Sequence, residues 1–489
     1  MPISTEQIRD IKASFVARIV HTVTNGLLVV ALASYLLGPD EYGLLFLVLS
    51  ILVVAQVFAD LGVSRSAARY VSEYKETDPG QVPHIVRVSL AFRVMMLAVV
   101  CLAVVLARPW IAAVLDEPAL ASLLVVGVCY LAFKSLTAYH VGLFQGFSRL
   151  EYSAAVGIVD NVGRLVFVVG FVALGFGVVG ALAGYVVGAV LATALGLAIL
   201  YWKCYRPCER AERAEPGLKR RILEYSVPLT ASESANVVDR RVDILLVGFF
   251  LTPAAVGFYT LAKQITEFVE APAGSVGFAL SPAYGEEKAR DRLDHAARIY
   301  ETSFSYVLLL YVPAAVGMVL LAEPGITIVF GDEYAGAVPV LQILSLFVLF
   351  KAINSITTQS IDYLGRARTR AIVKGITAAG NVALNIVLIP TMGLVGAAIA
   401  TVVTFGAYTL ANVAIMHAEL PIRTKRFVGV AAGTTAISIL MGFVVLALAP
   451  FISGYLTLFG VVGVGVGIWA ALVTATGLVD LRESIATFV

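Results

Sequence analysis

The sequence predicts an all-α integral membrane protein of about fourteen spanning helices, a span needing about 20 apolar residues. They are read as two parallel six-helix repeats with two extra helices at the C-terminal end. Three observations predict this: an apolar composition, connections that alternate between basic and acidic, and an internal duplication.

Of the 489 residues, 59% are hydrophobic and 14% are charged, with a mean hydropathy of +0.90. Soluble domains carry nearer a quarter charged residues, so much of this chain must meet lipid rather than water. The apolar runs centre near residues 26, 52, 97, 130, 163, 190, 236, 266, 310, 349, 381, 405, 437 and 467. The first follows a polar stretch, Met1 to Ser14, that lacks the short apolar core and cleavage site of a secretory signal.

Basic residues fill every second connection. Arg9 and Lys12 precede the first span, and Arg65, Arg69, Lys75 and Arg87 follow the second. Arg149 marks the fourth loop, and Lys203, Arg206, Arg210, Arg213 and Lys219 to Arg221 fill the sixth. Lys288, Arg290, Arg292 and Arg298 lie in the eighth, Arg366, Arg368, Arg370 and Lys374 in the tenth, and Arg423, Lys425 and Arg426 in the twelfth. Apart from Arg108, the intervening loops are nearly free of Lys and Arg. They carry acids instead: Asp40 and Glu41, Asp116 and Glu117, Asp332 and Glu333. The positive-inside bias therefore puts both termini on the cytoplasmic side of the cell membrane, which requires an even number of spans.

Self-similarity appears at near-constant offsets of about 214 to 217 positions. Leu37-Gly-Pro-Asp-Glu-Tyr-Gly43 recurs as Leu251-Thr-Pro-Ala-Ala-Val-Gly257, and Leu131-Ala-Phe-Lys-Ser135 as Val348-Leu-Phe-Lys-Ala352. Gly146-Phe-Ser-Arg149 recurs as Tyr363-Leu-Gly-Arg366, and Gly177-Val-Val-Gly-Ala-Leu182 as Gly393-Leu-Val-Gly-Ala-Ala398. Six spans per copy is even, so the copies share one orientation, an arrangement that places transporter sites near the midplane. The expected organisation is an N-terminal lobe over 1–202, a basic cytoplasmic linker over 203–221, a C-terminal lobe over 222–421, and the last two spans over 422–489.

Several smaller features have structural readings. The overlapping GxxxG patterns of Gly180, Gly184 and Gly188 suit close helix packing, and the glycines at 460, 463, 465 and 467 read the same way. The charged stretch from Glu286 to Glu301 reads as an amphipathic surface helix. Cys101 and Cys129 read as apolar packing residues. Cys204 and Cys208 lack the further ligands a metal site needs, so neither a metal nor an organic cofactor is expected.

Taken in order, these residues resemble the polysaccharide-flippase (Wzx-like) branch of the multidrug/oligosaccharidyl-lipid/polysaccharide exporter superfamily, which is MATE-like. The resemblance rests on Leu36-Leu-Gly-Pro-Asp-Glu-Tyr-Gly-Leu44, Asp60-Leu-Gly-Val63 and Gly142-Leu-Phe-Gln-Gly-Phe-Ser-Arg149. It continues through Leu251-Thr-Pro-Ala-Ala-Val-Gly-Phe-Tyr-Thr-Leu-Ala262 and Gly331-Asp-Glu-Tyr-Ala-Gly-Ala-Val-Pro-Val-Leu341, covering nearly the whole chain from Phe15. It implies two six-helix lobes around a central V-shaped cavity that opens alternately to each side. It also implies a polyprenyl-linked oligosaccharide as cargo, its lipid tail remaining in the bilayer. Possible coupling ions are H+ or Na+. The bilayer and the lipid-linked glycan are the expected partners, polysaccharide polymerase or glycosyltransferase machinery the candidate protein partners, and nucleic acid is not one.

Charge inside the spans bears on the site. A charged group at the bilayer centre costs about 2.5–3.5 kcal/mol on insertion scales, so it faces a wet cavity or a partner. At 1.5 Å per residue, Lys134, Arg164 and Lys351 fall roughly 15–20 Å deep. Lys134 and Lys351 occupy repeat-equivalent positions and have no acid at helical spacing in their own spans, so they read as cavity lining. Arg164 can pair with Asp160, and Lys263 with Glu267, with Glu270 one turn further on; structural pairing and ligand contact both stay open for Arg164 and Lys263. Arg18 and Arg93 lie nearer the cytoplasmic surface and read as snorkelling, or as attracting an anionic headgroup to the inner mouth. In the seventh span, Arg240 and Arg241 lie roughly 27 Å along the helix, towards the outer gate. Being adjacent, they point about 100° apart, with Asp239 and Asp243 near enough to hold them.

Three functions compete. A flippase for lipid-linked glycans uses buried cations to meet diphosphate or acidic sugar. A cation-coupled drug or metabolite antiporter of the same superfamily is disfavoured, because a cationic cavity repels cationic drugs. An integral-membrane glycosyltransferase or lipid ligase needs acidic residues or metal ligands on large loops, whereas the longest loop here is short and basic.

Overall fold

The computed structural model describes residues 5–209 and 211–477. Arg210 of the basic linker, residues 1–4 of the polar N-terminal stretch and residues 478–489 of the last expected segment lie outside the described residues.

Every regular element among the described residues is helical. The first eight α-helices are α1 (Thr5–Ala31), α2 (Pro39–Asp60), α3 (Val63–Thr77), α4 (Val82–Val114), α5 (Ala119–Gly146), α6 (Leu150–Phe171), α7 (Gly177–Ile199) and α8 (Leu218–Phe250). Seven follow: α9 (Pro253–Ala289), α10 (Leu293–Phe330), α11 (Val338–Tyr363), α12 (Ala367–Met392), α13 (Leu394–Glu419), α14 (Thr424–Leu448) and α15 (Tyr455–Thr476). Among the described residues, eleven stretches are long and apolar enough to cross a membrane, and one of them, Leu150–Tyr205, holds both α6 and α7. The protein is therefore multi-pass. Helices suit this setting because each satisfies its own backbone polar groups in lipid.

The chain forms two compact units, Met1–Gly257 and Phe258–Val489. In the first, α6 packs on α7 and α1, and α5 packs on α7, α3 and α4. The closeness of α7 to α6 comes from its glycines. A Cβ at Gly184 would lie 2.7 Å from the Phe167 carbonyl carbon, and one at Gly188 would lie 2.8 Å from the Arg164 nitrogen. Small residues let two backbones touch, as the GxxxG reading expects. The glycines of α15 differ: a Cβ at Gly460, Gly463 or Gly467 meets nothing within 4 Å, and only Gly465 packs, on Val445. The GxxxG reading fails there because those positions face away from neighbouring helices.

Three loops of the sequence reading turn out to be ordered. The basic second loop is largely α3, whose Val63, Ala67, Tyr70, Val71 and Tyr74 are buried at helical spacing beneath an exposed basic face. The expected surface helix from Glu286 to Glu301 is instead the end of α9 and the start of α10. The break falls at Asp291, whose φ is 57°. Arg370 and Lys374, assigned to the tenth loop, lie within α12.

The basic linker is also held. His84 bonds the Ala211 carbonyl at 2.9 Å through Nε2, and the Ala211 amide donates to the Gly80 carbonyl at 3.0 Å. Gln81 donates to the Arg213 carbonyl at 3.2 Å and accepts from the Glu215 amide at 2.9 Å. Tyr74 donates its phenol to Glu215, and Arg221 pairs with the same carboxylate at 2.7 Å. The linker is a strap across the α3–α4 corner.

Candidate functional site

The first unit gathers polar side chains from five helices. From α5, Lys134 reaches the Asp160 carboxylate of α6 at 2.6 Å. One turn along α6, Arg164 donates to Asn161 Oδ1 at 3.0 Å, and its guanidinium carbon sits 5.4 Å from the Tyr185 ring centre of α7. Tyr185 meets Tyr130 edge-on at 5.6 Å. His21 of α1 bonds the same Asn161 oxygen through Nδ1 at 2.9 Å. Tyr185 also lies within electrostatic range of Arg241 from α8.

Two pairings differ from the sequence reading. Asp160 serves Lys134 rather than Arg164, so the four-residue spacing on α6 does not form the expected pair. Lys134 does not lack an acid; its acid comes from the next helix. The reason is geometric. Asp160 is buried at the contact of α6 with α5, where the Lys134 ammonium reaches it, and no ion pair along α6 forms with Arg164. Arg164 is left with a neutral amide, an aromatic face and an Nε that is buried with no partner among the described residues. Buried donors without acceptors are costly, so an acceptor reaching this group would be stabilising.

In the second unit Lys351, which the sequence pattern matches to Lys134, is handled likewise. Lys351 of α11 meets Glu270 of α9 at 3.3 Å, and Ser355 donates to that carboxylate at 2.6 Å. Glu270 thus serves Lys351. Lys263 lies 5.8 Å from the Tyr259 ring centre, and Glu267 is exposed. Sequence reasoning missed Lys374, which sits over Phe405 at 5.4 Å and Tyr408 at 4.8 Å. Its signal was the Phe405 and Tyr408 pair on α13, one turn apart.

The remaining candidates separate. Arg93 is fully buried rather than snorkelling. It pairs with Asp60 and donates to the Ser135 carbonyl at 2.7 Å. Asp60 also accepts from the Ser64 hydroxyl at 2.7 Å, so the arginine ties the α2–α3 corner to α5. With its charge matched inside the fold, it has no need to reach the surface. Arg18 is exposed on α1. On α8, Arg240 is exposed, Arg241 is half-buried and Asp243 is buried, while the Asp239 side chain lies outside the described residues. The four cysteines are free, and no group of three metal-ligating side chains occurs among the described residues.

The second unit also holds an apolar cavity of 670 Å³ between α9, α10, α14 and α15. Phe268, Pro313, Met441, Leu458, Phe459 and Trp469 are among the side chains lining it.

Comparison with known proteins gives consistent results. A family model described as "Polysaccharide biosynthesis protein" matches residues 11–285, and a model described as MatE matches residues 236–391. A protein of Haloferax volcanii named "Probable low-salt glycan biosynthesis flippase Agl15" is 23% identical over 388 residues, spanning 78% of this chain and 77% of that protein. The lipopolysaccharide biosynthesis protein WzxC of Escherichia coli is 23% identical over 361 residues, spanning 73% of this chain and 69% of that protein. Among solved structures, the lipid II flippase MurJ in an inward closed conformation superposes with a TM-score of 0.76 at 16% identity, over 98% of this chain and 100% of that one. That likeness concerns the fold.

Proposed function

This chain belongs to the polysaccharide biosynthesis protein family, and we propose that it is a flippase moving polyprenyl-linked oligosaccharide across the cytoplasmic membrane by alternating access. It is a transporter rather than an enzyme. The observation that carries the reading is the first-unit cluster of Lys134, Arg164 and Arg241, in which Arg164 keeps a buried Nε with no partner among the described residues. Such a site favours an anionic diphosphate or acidic sugar and disfavours a cationic drug. The apolar cavity among α9, α10, α14 and α15 suits a prenyl chain, being of ligand size and lined by apolar side chains.

The finer organisation follows the same reading. Fourteen spans form two six-helix repeats with α14 and α15 added, and both termini face the cytoplasm, as the alternation of basic loops supports. Residues 1–202 and 222–421 form the two repeats, 203–221 the linker and 422–489 the additional helices. Coupling to H+ or Na+ drives the cycle, and polymerase or glycosyltransferase machinery receives or supplies the glycan.

The test is a vesicle assay. The full chain is reconstituted with a fluorescent polyprenyl-diphosphate oligosaccharide, and exposure of the sugar to an external glycosidase is followed. Protein-dependent exposure of the glycan is the expected result. Exposure no faster than in empty vesicles, or uptake of a cationic dye in its place, overturns the reading.

A further inference from the structure

We propose that His21 is a proton-binding site that decides whether Arg164 is available to an anion. The Asn161 side chain fixes the local chemistry. Its Nδ2 donates to the Gly157 carbonyl at 2.7 Å, which turns Oδ1 towards the other two partners. That oxygen accepts from Arg164 at 3.0 Å and from His21 Nδ1 at 2.9 Å. An amide oxygen has two lone pairs, so it is saturated. His21 must then carry its neutral-state proton on Nδ1, which leaves Nε2 with a free lone pair on an exposed residue.

The charged groups around the ring set the sign. Asp160, the neighbouring acid on α6, is engaged by Lys134 at 2.6 Å. Arg18 lies one turn earlier on α1, and Arg164 shares the Asn161 oxygen. Arg241 bears on the same Tyr185 ring as Arg164. Further along the α1–α6 contact, Glu151 is paired with Arg9 at 3.0 Å, and its amide donates to Asp10. Among the described residues around the ring, the Asp160 and Glu151 carboxylates are already paired, so a proton added at Nε2 meets surrounding positive charge. Two cations then donate to one neutral oxygen, and their repulsion loosens Arg164 from Asn161.

The freed guanidinium already carries a buried Nε with no partner among the described residues, so an anion completes its hydrogen bonding. Protonation of the ring therefore raises the anion affinity of Arg164, so that affinity rises as pH falls. By linkage, a bound anion raises the proton affinity of the ring equally. Proton and anion are taken up together and released together. The identity of the anion as a cargo diphosphate rests on the flippase reading; the proton site does not.

The probe is inorganic diphosphate, titrated calorimetrically into the full chain in nanodiscs at about pH 6 and about pH 8. Wild type is expected to bind more tightly at the lower pH. His21→Gln retains a donor for Asn161 but cannot take a proton, so it keeps only the change due to diphosphate's own protonation. Arg164→Gln loses binding at both values. A pH response in His21→Gln equal to that of wild type, or unchanged binding in Arg164→Gln, overturns the proposal. If His21→Gln melts below wild type, imidazole ¹⁵N spectra of wild type decide instead. An Nδ1-protonated ring that titrates at Nε2 supports the site, and a ring protonated on Nε2 when neutral overturns it. Vesicles that move no glycan while the diphosphate titrations behave as stated would remove the flippase reading and leave the proton site standing.

Discussion

Gly43 and Gly257 meet backbone to backbone, each lying on the turn that precedes the other. A Cβ at Gly43 would overlap the Pro253 carbonyl and come 2.8 Å from the Gly257 nitrogen. A Cβ at Gly257 would overlap the Pro39 carbonyl and come 3.3 Å from the Gly43 nitrogen. The Ala254 amide donates to Asp40 across the same crossing at 3.1 Å. The first turns of α2 and α9 therefore cross at a spacing only hydrogen side chains permit. Gly43→Leu or Gly257→Leu is expected to cost about 1–3 kcal/mol or more by overpacking, read as a lower melting temperature in detergent. A wild-type melt in both variants would refute the crossing.

Lys134 and Asp160 are predicted to be energetically coupled. Lys134→Ala and Asp160→Asn should each destabilise, since each leaves a desolvated partner. The double variant should recover on the order of 1 kcal/mol relative to the sum of the two, within the range for contacting residues. Strict additivity in thermal melts would show that the ion pair is not formed.

Arg93 should be more demanding. Arg93→Ala leaves Asp60 uncompensated and takes a donor from the Ser135 carbonyl. Breaking a buried pair costs about 3–5 kcal/mol, so low abundance and early melting are expected. Near-normal stability would instead support the surface position read from the sequence.

The linker strap carries a pH signature. Hydrogen bonds from Tyr74 and Arg221 hold the Glu215 carboxyl below its ordinary value of 4.5. A depressed carboxyl stabilises above its ordinary value and loses that contribution as pH falls through the lowered one. Burial, and then the bond to Glu215, push the Tyr74 phenol above its ordinary value of 10.0. Its contribution is present below 10.0 and is lost as pH rises through the raised value. Trypsin cleavage at Arg213 should therefore be slowest between these limits. Tyr74→Phe or Glu215→Gln should speed it at neutral pH, and equal rates in all three proteins would count against the strap.

The apolar cavity can be filled without disturbing the fold. A Cβ at Gly317 meets nothing within 4 Å, and Gly317 lines the cavity. Gly317→Phe should melt like wild type and reduce glycan exposure in vesicles. Unimpaired exposure would exclude the cavity from lipid binding.

The sequence alone determined that the chain is helical and multi-pass, and which family it joins. Apolar runs long enough to cross lipid leave few alternatives to helices, and glycine spacing at 180, 184 and 188 specifies a close helix contact without naming α6 as the partner. It also singled out the lysines at 134 and 351, each lying inside an apolar run. It could not say what they touch. Spacing along one helix reveals only partners three or four residues away, which is why Asp160 was offered to Arg164. The pairs Lys134–Asp160, Lys351–Glu270 and Arg93–Asp60 each join different helices. Which helices lie side by side, and how each is rotated about its axis, is settled by packing over the whole unit. Only the tertiary structure therefore decided that Lys134 is neutralised and that Arg164 and His21 share one amide oxygen.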